Sequence, residues 1–389
     1  MNNRRIGRLA GSRSVYEVRF ETSITAADDL ISPPEIDEFI TTGFIDVQVN
    51  GFAGVDYNDP DVPVEQIAKS LQVMFSTGVT RCFPTMITGP EERITGALAN
   101  MTKAKRTLES ANRPEGFAIE AFHVEGPNIS PDDGPRGAHP REFVRPPDLD
   151  EFKRWQEAAE GLIRLITVSP EWPEAPAYVE SVTRTGVVVS VGHTKASSDQ
   201  IRAVVDAGAT MSTHLGNGAH ATLPKTANYI WDQLAEDRLT PSFIVDGIHI
   251  PSSFLRAALQ AKGVERSVLV TDAVMPAMCS PGIYRLGAVE VELKEGHKVV
   301  LRNEDRLAGS ALRMDVAIGK TVQMGGISLR DALSMATVNP ARVCRVAGRQ
   351  RGLNAGEKAD LVRYRWDAKT QTITVIETIL NGVSVYGEE

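Results

Sequence analysis

Residues 44–50 have the sequence FIDVQVN, an apolar β-strand that ends in polar side chains. Similar apolar runs recur along the chain and alternate with segments of helical periodicity, a pattern typical of repeated βα units and a parallel sheet. Eight strands are predicted: FIDVQV (44–49), VTRCFPTM (79–86), FAIEAFHV (117–124), LIRLITV (162–168), GVVVSVG (186–192), ATMSTHL (209–215), SFIVDGI (242–248) and SVLVTDA (267–273). Eight units over about 230 residues predict an α/β fold, a TIM-like (β/α)8 barrel.

The segments between the predicted strands support this interpretation. Helical patterns cover Val64–Thr77, Glu91–Glu109, Leu149–Ala159, Ser198–Ala207 and Ser252–Ala261. Glycines 78, 208 and 263 follow three of these helices, where glycine commonly ends a helix. A doubly wound open sheet is the alternative, but no G-x-G-x-x-G motif follows a strand, so its dinucleotide-binding form has no support.

Both ends of the chain have the alternating pattern of exposed sheets. Residues 14–20 (SVYEVRF) predict one strand, and residues 359–386 predict three short strands joined by turns. We therefore predict a small β-sandwich domain from residues 1–42 and 345–389 beside a barrel of residues 43–344. The Gly-rich stretch 282–306 has hairpin character and follows the eighth strand.

Charge and cysteine content narrow the possible partners and the compartment. The chain of 389 residues has a formal net charge of −8 and no basic stripe, which argues against a nucleic-acid or anionic-membrane partner. Its three cysteines, Cys82, Cys279 and Cys344, form no C-x-x-C pair, and no apolar run of about 18 residues is present. We expect reduced thiols, a cytoplasmic location and no membrane-spanning segment.

Polar side chains with possible catalytic roles lie at the carboxyl ends of the predicted strands. They are Asp46, Gln48 and Asn50 on strand one, Glu125 after strand three, His193 after five, His214 after six, Asp246 and His249 on or after seven, and Asp272 on eight. In a barrel these strand ends form the face that carries the active site, so we expect the side chains to converge. The strand-one residues alone are equally compatible with ordinary turn-forming residues.

Three of these side chains form a candidate set of metal ligands. Glu125, His193 and His214 supply one carboxylate and two imidazoles, which would leave a fourth position on a divalent ion open for water. Such an ion lowers the pKa of bound water from about 15.7 to about 7, and Asp272 would be the nearby base. A single buried histidine is more often a hydrogen-bonded core residue, but one ion would satisfy three of these groups at once.

The motifs that contain these residues resemble a known family. In chain order they are FIDVQVNGFAGVDYND, HVEGPNIS, VSVGHT, THLGNG, VDGIHI, VLVTDA, LAGSAL, MATVNPA and GLNAGEKADLV. From about residue 42 to residue 365 the chain closely resembles the N-acetylglucosamine-6-phosphate deacetylases of the amidohydrolase superfamily. The resemblance implies a homodimeric, metal-dependent hydrolase that releases acetate from N-acetylglucosamine 6-phosphate.

The resemblance also implies roles for the strand-end residues. Many members of the superfamily carry His-x-His on strand one, where this chain has Gln48 and Asn50, a replacement that is also found in single-metal deacetylases. It therefore implies one divalent metal per subunit on Glu125, His193 and His214, with zinc first and Fe²⁺ or another divalent ion as alternatives. Asp272 is implied as the catalytic acid and base.

The substrate contacts follow from the same resemblance. His139 is implied to hold the acetamide or the sugar, and Asn217, Gly218 and His249 to place the phosphate. Further contacts are implied at Ala138, Leu307 and Gly309.

At one position the chain departs from the family pattern. Where phosphate-binding members present an arginine to the neighbouring subunit's site, this chain has Lys225, which lacks the planar bidentate fork. N-acetylgalactosamine 6-phosphate, or another N-acyl amino sugar with or without a phosphate, is therefore the alternative substrate. A catalytically silent barrel with a role in assembly is the alternative from a different class, and the intact set of ligands and base argues against it.

Overall fold

The computed structural model describes residues 3–31, 35–287 and 289–387. The strands are β1 (Asn3–Arg8), β2 (Val15–Phe20), β3 (Ile24–Asp29), β4 (Glu38–Thr42), β5 (Phe44–Val49), β6 (Gly51–Phe52), β7 (Val55–Asp56), β8 (Val79–Ile87), β9 (Phe122–Glu125), β10 (Ile163–Val168), β11 (Val188–Val191), β12 (Met211–Ser212), β13 (Thr240–Phe243), β14 (Val268–Leu269), β15 (Gly282–Leu286), β16 (Val289–Leu293), β17 (Val299–Leu301), β18 (Leu361–Asp367), β19 (Thr372–Leu380) and β20 (Val383–Tyr386). The helices are α1 (Val64–Phe75), α2 (Glu91–Ser110), α3 (Pro114–Ala118), α4 (Leu149–Ala158), α5 (Ala175–Arg184), α6 (Ser198–Asp206), α7 (Tyr229–Ala235), α8 (Ser252–Lys262), α9 (Met314–Gly325), α10 (Leu329–Ala336) and α11 (Val338–Val343).

Eight parallel strands form the barrel in the order β5-β8-β9-β10-β11-β12-β13-β14. A parallel bridge between Val49 and Ala273 joins the last strand to the first, and the Asp272 amide donates to the Gln48 carbonyl at 2.9 Å. All six residues of β5 are buried, because helices cover the outer face of such a sheet while its inner face forms the barrel interior. The predicted barrel of eight βα units is confirmed.

The bounds of several predicted elements were wrong. The third strand begins at Phe122, and the start of the predicted run belongs to α3, which Pro114 initiates from the first helical turn. The sixth and eighth strands, β12 and β14, have only two residues each. Six helices had no counterpart in the sequence-based prediction: α3, α5, α7, α9, α10 and α11.

Strands from both termini form one seven-stranded sheet, in the order β20-β19-β18-β4-β1-β2-β3. This sheet has its own apolar cluster, formed by Val18, Phe20, Ile24, Ile40, Ala359, Leu361 and Ile379. The prediction that both termini build one small β unit beside the barrel is confirmed, whereas the domain boundaries at residues 42/43 and 344/345 stay a prediction. The stretch 282–306 folds as the antiparallel sheet β15-β16-β17.

The three cysteines are free thiols. Burial raises the pKa of the Cys344 thiol to about 12 and that of the Cys82 thiol even further. Neither buried thiol is therefore activated as a nucleophile, because the thiolate is the reactive form. Within the described part of the chain, no helix has both the length and the apolar character that crossing a bilayer requires.

Candidate metal centre and substrate cavity

The predicted ligands meet at the carboxyl ends of three barrel strands. Glu125 is the last residue of β9, and His193 and His214 each lie two residues beyond the end of β11 and β12. His193, His214 and Asp272 have positive φ angles of 48°, 27° and 49°. This conformation is costly for residues other than glycine, and such strain is concentrated at functional sites.

The three ligand atoms lie close together in the barrel interior. The Oε1 atom of Glu125 is 2.8 Å from Nε2 of His214 and 3.2 Å from Nε2 of His193, and the two Nε2 atoms are 3.1 Å apart. A tetrahedral zinc centre with bonds of about 2.0–2.1 Å separates its ligand atoms by roughly 3.3 Å. The donor set and its spacing therefore fit one divalent ion, and among the described residues this is the one group of its kind.

Neighbouring backbone fixes the orientation of the His193 ring. Its Nδ1 atom lies 2.7 Å from the Pro135 carbonyl, which can only accept, so Nδ1 carries the proton and the Nε2 lone pair faces Glu125. Gly218 and Gly137 pack against the same ring: a Cβ atom at Gly218 would lie 2.7 Å from Nδ1, and one at Gly137 would lie 3.3 Å from Cε1. Both glycines have positive φ, so a side chain at either position would disturb the ligand.

The strand-one amides connect the candidate ligands to the candidate base. The Nε2 group of Gln48 donates to Oε1 of Glu125 at 2.9 Å and to Oδ1 of Asp272 at 3.2 Å, and Nδ2 of Asn50 donates to the same Asp272 oxygen at 2.7 Å. Two carboxylates are thus held by neutral amide donors from β5 and the residue that follows it. Asp46 accepts from the Thr271 hydroxyl and the Gln48 amide, which ties β5 to the segment that carries Asp272.

Burial and neighbouring charges set the protonation of these groups. Burial opposes the charge on Glu125, but the contacts with the imidazoles of His193 and His214 outweigh it and hold the pKa of Glu125 well below its usual range. Burial, helped by the negative charge of Glu125, raises the pKa of Asp272 to about 6. A carboxyl group with a pKa near neutrality can both accept and return a proton at physiological pH.

Two further histidines lie near this centre with defined partners. Nδ1 of His139 is 2.8 Å from the Thr88 hydroxyl, and burial lowers the pKa of His139 to about 3, so its ring is neutral. Nδ1 of His249 is 2.6 Å from Oδ2 of Asp246. Burial opposes the charge on Asp246, but this hydrogen bond outweighs it and lowers the pKa of that carboxyl.

A cavity of about 520 Å³ opens above the candidate ligands. This volume lies within the range of small-molecule sites, about 300–1,000 Å³. The predicted site residues that line it are Asn50, Glu125, Ala138, His139, His193, His214, Asn217, Gly218, His249, Asp272, Leu307 and Gly309. Gln48 lies behind this wall, bonded to both carboxylates. Lys225 is not among the described lining residues, and it is exposed on the segment before α7.

Four residues around the cavity were not identified from the sequence. Thr88 and the Pro135 carbonyl orient His139 and His193, and both lie outside the quoted motifs. Arg93 and Arg306 line the cavity as well. The position of Arg306 directly before the LAGSAL motif was the one signal that could have drawn attention to it.

Comparison with known proteins gives consistent matches over most of the chain. The model of the Amidohydrolase family matches residues 39–385. N-acetylglucosamine-6-phosphate deacetylase of Bacillus subtilis (strain 168) is 30% identical over 346 residues, covering 89% of this chain and 84% of that protein. N-acetylgalactosamine-6-phosphate deacetylase of Escherichia coli O157:H7 is 31% identical over 354 residues, covering 89% and 90%. A variant of N-acetyl-D-glucosamine-6-phosphate deacetylase from Mycobacterium smegmatis, solved with N-acetyl-D-glucosamine-6-phosphate, aligns with a TM-score of 0.85 at 28% identity and covers 98% and 99%.

Proposed function

Because the chain belongs to the amidohydrolase family, and within it to the N-acetylglucosamine-6-phosphate deacetylases, we propose that it hydrolyses the acetamide of N-acetylglucosamine 6-phosphate to glucosamine 6-phosphate and acetate. The observation that carries the proposal is the buried group of Glu125, His193 and His214 beside Asp272, at the floor of a cavity of suitable size for a sugar phosphate.

The reaction requires water to attack the carbonyl carbon while a proton moves to the departing nitrogen. Asp272 is the proposed proton carrier: its carboxylate accepts a proton from the attacking water and then delivers it to the amine as the carbon–nitrogen bond breaks. Hydrogen bonds from Gln48 and Asn50 hold its Oδ1 atom, which leaves Oδ2 for the transfer. The pKa of about 6 suits both halves of this cycle.

Glu125, His193 and His214 are the proposed ligands of one divalent metal. A metal held by these residues supplies Lewis acidity, which polarises the carbonyl and makes water a stronger nucleophile at neutral pH. The neutral ring of His139, held at Nδ1 by the Thr88 hydroxyl, is proposed to donate a hydrogen bond to the acetamide oxygen from its other nitrogen. Zinc is the proposed ion, since imidazole and carboxylate ligands suit it.

The proposal also covers the contacts with the sugar and its phosphate, the oligomeric state and the cellular location. Asn217, Gly218, His249, Ala138, Leu307 and Gly309 are proposed to contact the sugar and its phosphate, since they line the cavity. We also propose a homodimer, and a cytoplasmic location is in keeping with the free thiols. N-acetylgalactosamine 6-phosphate is a second candidate substrate, because a relative named for that activity matches at similar identity.

A deacetylation assay on protein of measured metal content tests the proposal. We expect acetate and free amine from N-acetylglucosamine 6-phosphate, loss of turnover after chelation, and recovery when zinc is added back. N-acetylgalactosamine 6-phosphate and unphosphorylated N-acetylglucosamine, assayed in parallel, rank the candidate substrates by kcat/KM. Absence of acetate release from all three sugars by fully loaded protein would contradict the proposed function.

A further inference from the structure

The acidic and the basic side chains that line the cavity lie in different parts of it. Among its described lining residues the carboxylates are Glu125 and Asp272, both at the candidate metal centre, and the permanently charged cations are Arg93 and Arg306. An anionic substrate would place its reactive amide at the acidic floor and would gain from a cation elsewhere on the wall. Lys225, which the family pattern implies for the neighbouring subunit's site, is exposed and is not among the described lining residues of its own subunit's cavity.

Arg306 lies beside the part of the wall that contacts His193. It follows β17 and directly precedes Leu307, and its Nη1 group is 3.4 Å from the carbonyl oxygen of Gly137. Gly137 and Gly218 both pack against the His193 ring. The contact with Gly137 therefore places the guanidinium beside the part of the cavity wall that packs against His193.

The present contacts of Arg306 leave its guanidinium available. Its Nε atom is 3.3 Å from a carboxylate oxygen of Glu304, and the two side chains are 46% and 48% exposed. An ion pair this exposed contributes little stability and exchanges readily for a stronger partner. Arg93 has a different environment. It extends from α2 towards Gly287, and its positive charge opposes the rise that burial causes in the pKa of the Asp56 carboxyl.

From these observations we propose that Arg306 is a specificity-determining residue that binds the phosphate of the substrate within the same subunit. This inference rests on the proposed function and names the group that selects the phosphorylated sugar. A guanidinium at this position can donate two parallel hydrogen bonds to phosphate oxygens, which the ammonium of Lys225 cannot do. The chain would thus place its phosphate-binding arginine on the loop that follows β17.

The test compares three variants, Arg306→Ala, Arg93→Ala and Lys225→Ala, by kcat/KM on phosphorylated and unphosphorylated sugar. Loss of a charged hydrogen-bonding partner predicts a decrease of roughly 10- to 100-fold for Arg306→Ala on the phosphorylated sugar. Turnover of the unphosphorylated sugar should stay within about twofold, because the amide chemistry is untouched. Arg306→Lys should recover part of the loss, since it restores the charge without the fork.

Binding of inorganic phosphate, measured by calorimetry, provides a readout that does not depend on turnover. Weaker binding to Arg306→Ala than to the wild type, with Arg93→Ala unchanged, supports the inference even if no sugar is deacetylated. Equal losses on both sugars, or a selective loss in Arg93→Ala or Lys225→Ala while Arg306→Ala resembles the wild type, would overturn it. Failure of the proposed function is recognised separately, as absence of acetate release by wild-type protein.

Discussion

Asp272 is held in place by two amides and surrounded by protein, yet one of its oxygens remains free of described hydrogen bonds. Gln48 and Asn50 both donate to Oδ1. An amide in place of the carboxylate preserves the shape of the side chain but cannot carry a proton between water and amine. The proposed chemistry therefore depends on this group more than on any other that is not a candidate metal ligand.

Asp272→Asn is expected to lower kcat by about 10²- to 10⁴-fold, the usual contribution of a general acid or base. Metal content, measured by elemental analysis, should match the wild type because Glu125, His193 and His214 are unchanged. Asp199→Asn, on an exposed carboxylate of α6, provides the control and should keep full activity. Wild-type turnover by the Asp272 variant, or loss of the metal with the activity, would remove the assigned role.

The candidate ligands and base could be predicted because each has distinctive chemistry and each follows an apolar strand. Barrel geometry then brings residues as distant as Glu125 and Asp272 to one face. The acceptor that orients His193 could not be predicted in this way, because it is the backbone carbonyl of Pro135 and a carbonyl has no sequence signature. Arg306 was not identified for a related reason. A single arginine in a loop has no sequence signature, and only the structure shows that it lines the cavity.

At the scale of elements, apolar runs indicated which segments are buried more reliably than which secondary structure they form. The run 117–124 was predicted as one strand, but its first two residues belong to α3 and its last three to β9. A short continuous apolar run does not distinguish a buried strand from a buried helix by periodicity. Pro114 was the local signal for a helix start.

A fully buried lysine at the end of α8 forms a hydrogen bond with the end of α7. The ammonium of Lys262, at the end of α8, donates to the carbonyl of Glu236 at 2.6 Å, just beyond the end of α7. The carbonyls at a helix end are acceptors that a cation satisfies well. Burial, together with the positive charge of Arg266, nevertheless lowers the pKa of Lys262 from 10.5 to about 8.

The lowered pKa of Lys262 predicts how the free energy of unfolding varies with pH. Between pH 8 and pH 10.5 the unfolded chain keeps a proton that the folded chain has released, so the lysine's contribution to stability rises with pH in this window. Below pH 8 the folded state bears the full cost of the buried ammonium. A pKa shift of this size corresponds to an increase on the order of 3 kcal/mol in the free energy of unfolding from pH 8 to pH 10.5.

Lys262→Met, of similar length and without charge, should remove this pH dependence. Chemical denaturation of the variant and the wild type at several pH values from 7 to 10.5 provides the measurement. We expect the wild type to gain stability relative to the variant as pH rises. Differences that stay constant across the range, or that change in the opposite direction, would contradict the pKa direction assigned to Lys262.

In the whole molecule, a buried cluster of charges connects the barrel to the terminal sheet. Asp360, which precedes β18, binds Arg81 of β8 with Nε–Oδ2 at 2.7 Å and binds Arg349 with Nη1–Oδ2 at 2.5 Å. The same carboxylate accepts from the Asn381 amide at 2.8 Å, and Arg349 reaches the Gly43 carbonyl. The contact between the two sheets therefore includes a buried ionic cluster, which apolar patterning of the sequence could not indicate.

Because the cluster is buried, its net contribution to the free energy of unfolding depends on every charge in it having a partner. Burial opposes the charge on Asp360, but Arg81 and Arg349 outweigh it and hold the pKa of this carboxyl well below its usual range. The folded pKa is therefore lower than the unfolded one, and the stabilisation is fully present above about pH 4. It is lost as pH falls through the folded pKa.

Asp360→Asn would leave the buried guanidinium of Arg349 without its ion-pair partner and Arg81 with Glu120 as its remaining carboxylate, which predicts a loss of about 3–5 kcal/mol in the free energy of unfolding at pH 7. Asp28→Asn, in β3 of the same sheet, removes a carboxylate paired with Arg19 at the surface and should cost less than about 1 kcal/mol. Urea denaturation of both variants measures the difference, which should shrink below pH 4. Equal, small losses in the two variants would show that the ionic cluster does not hold the barrel and the terminal sheet together.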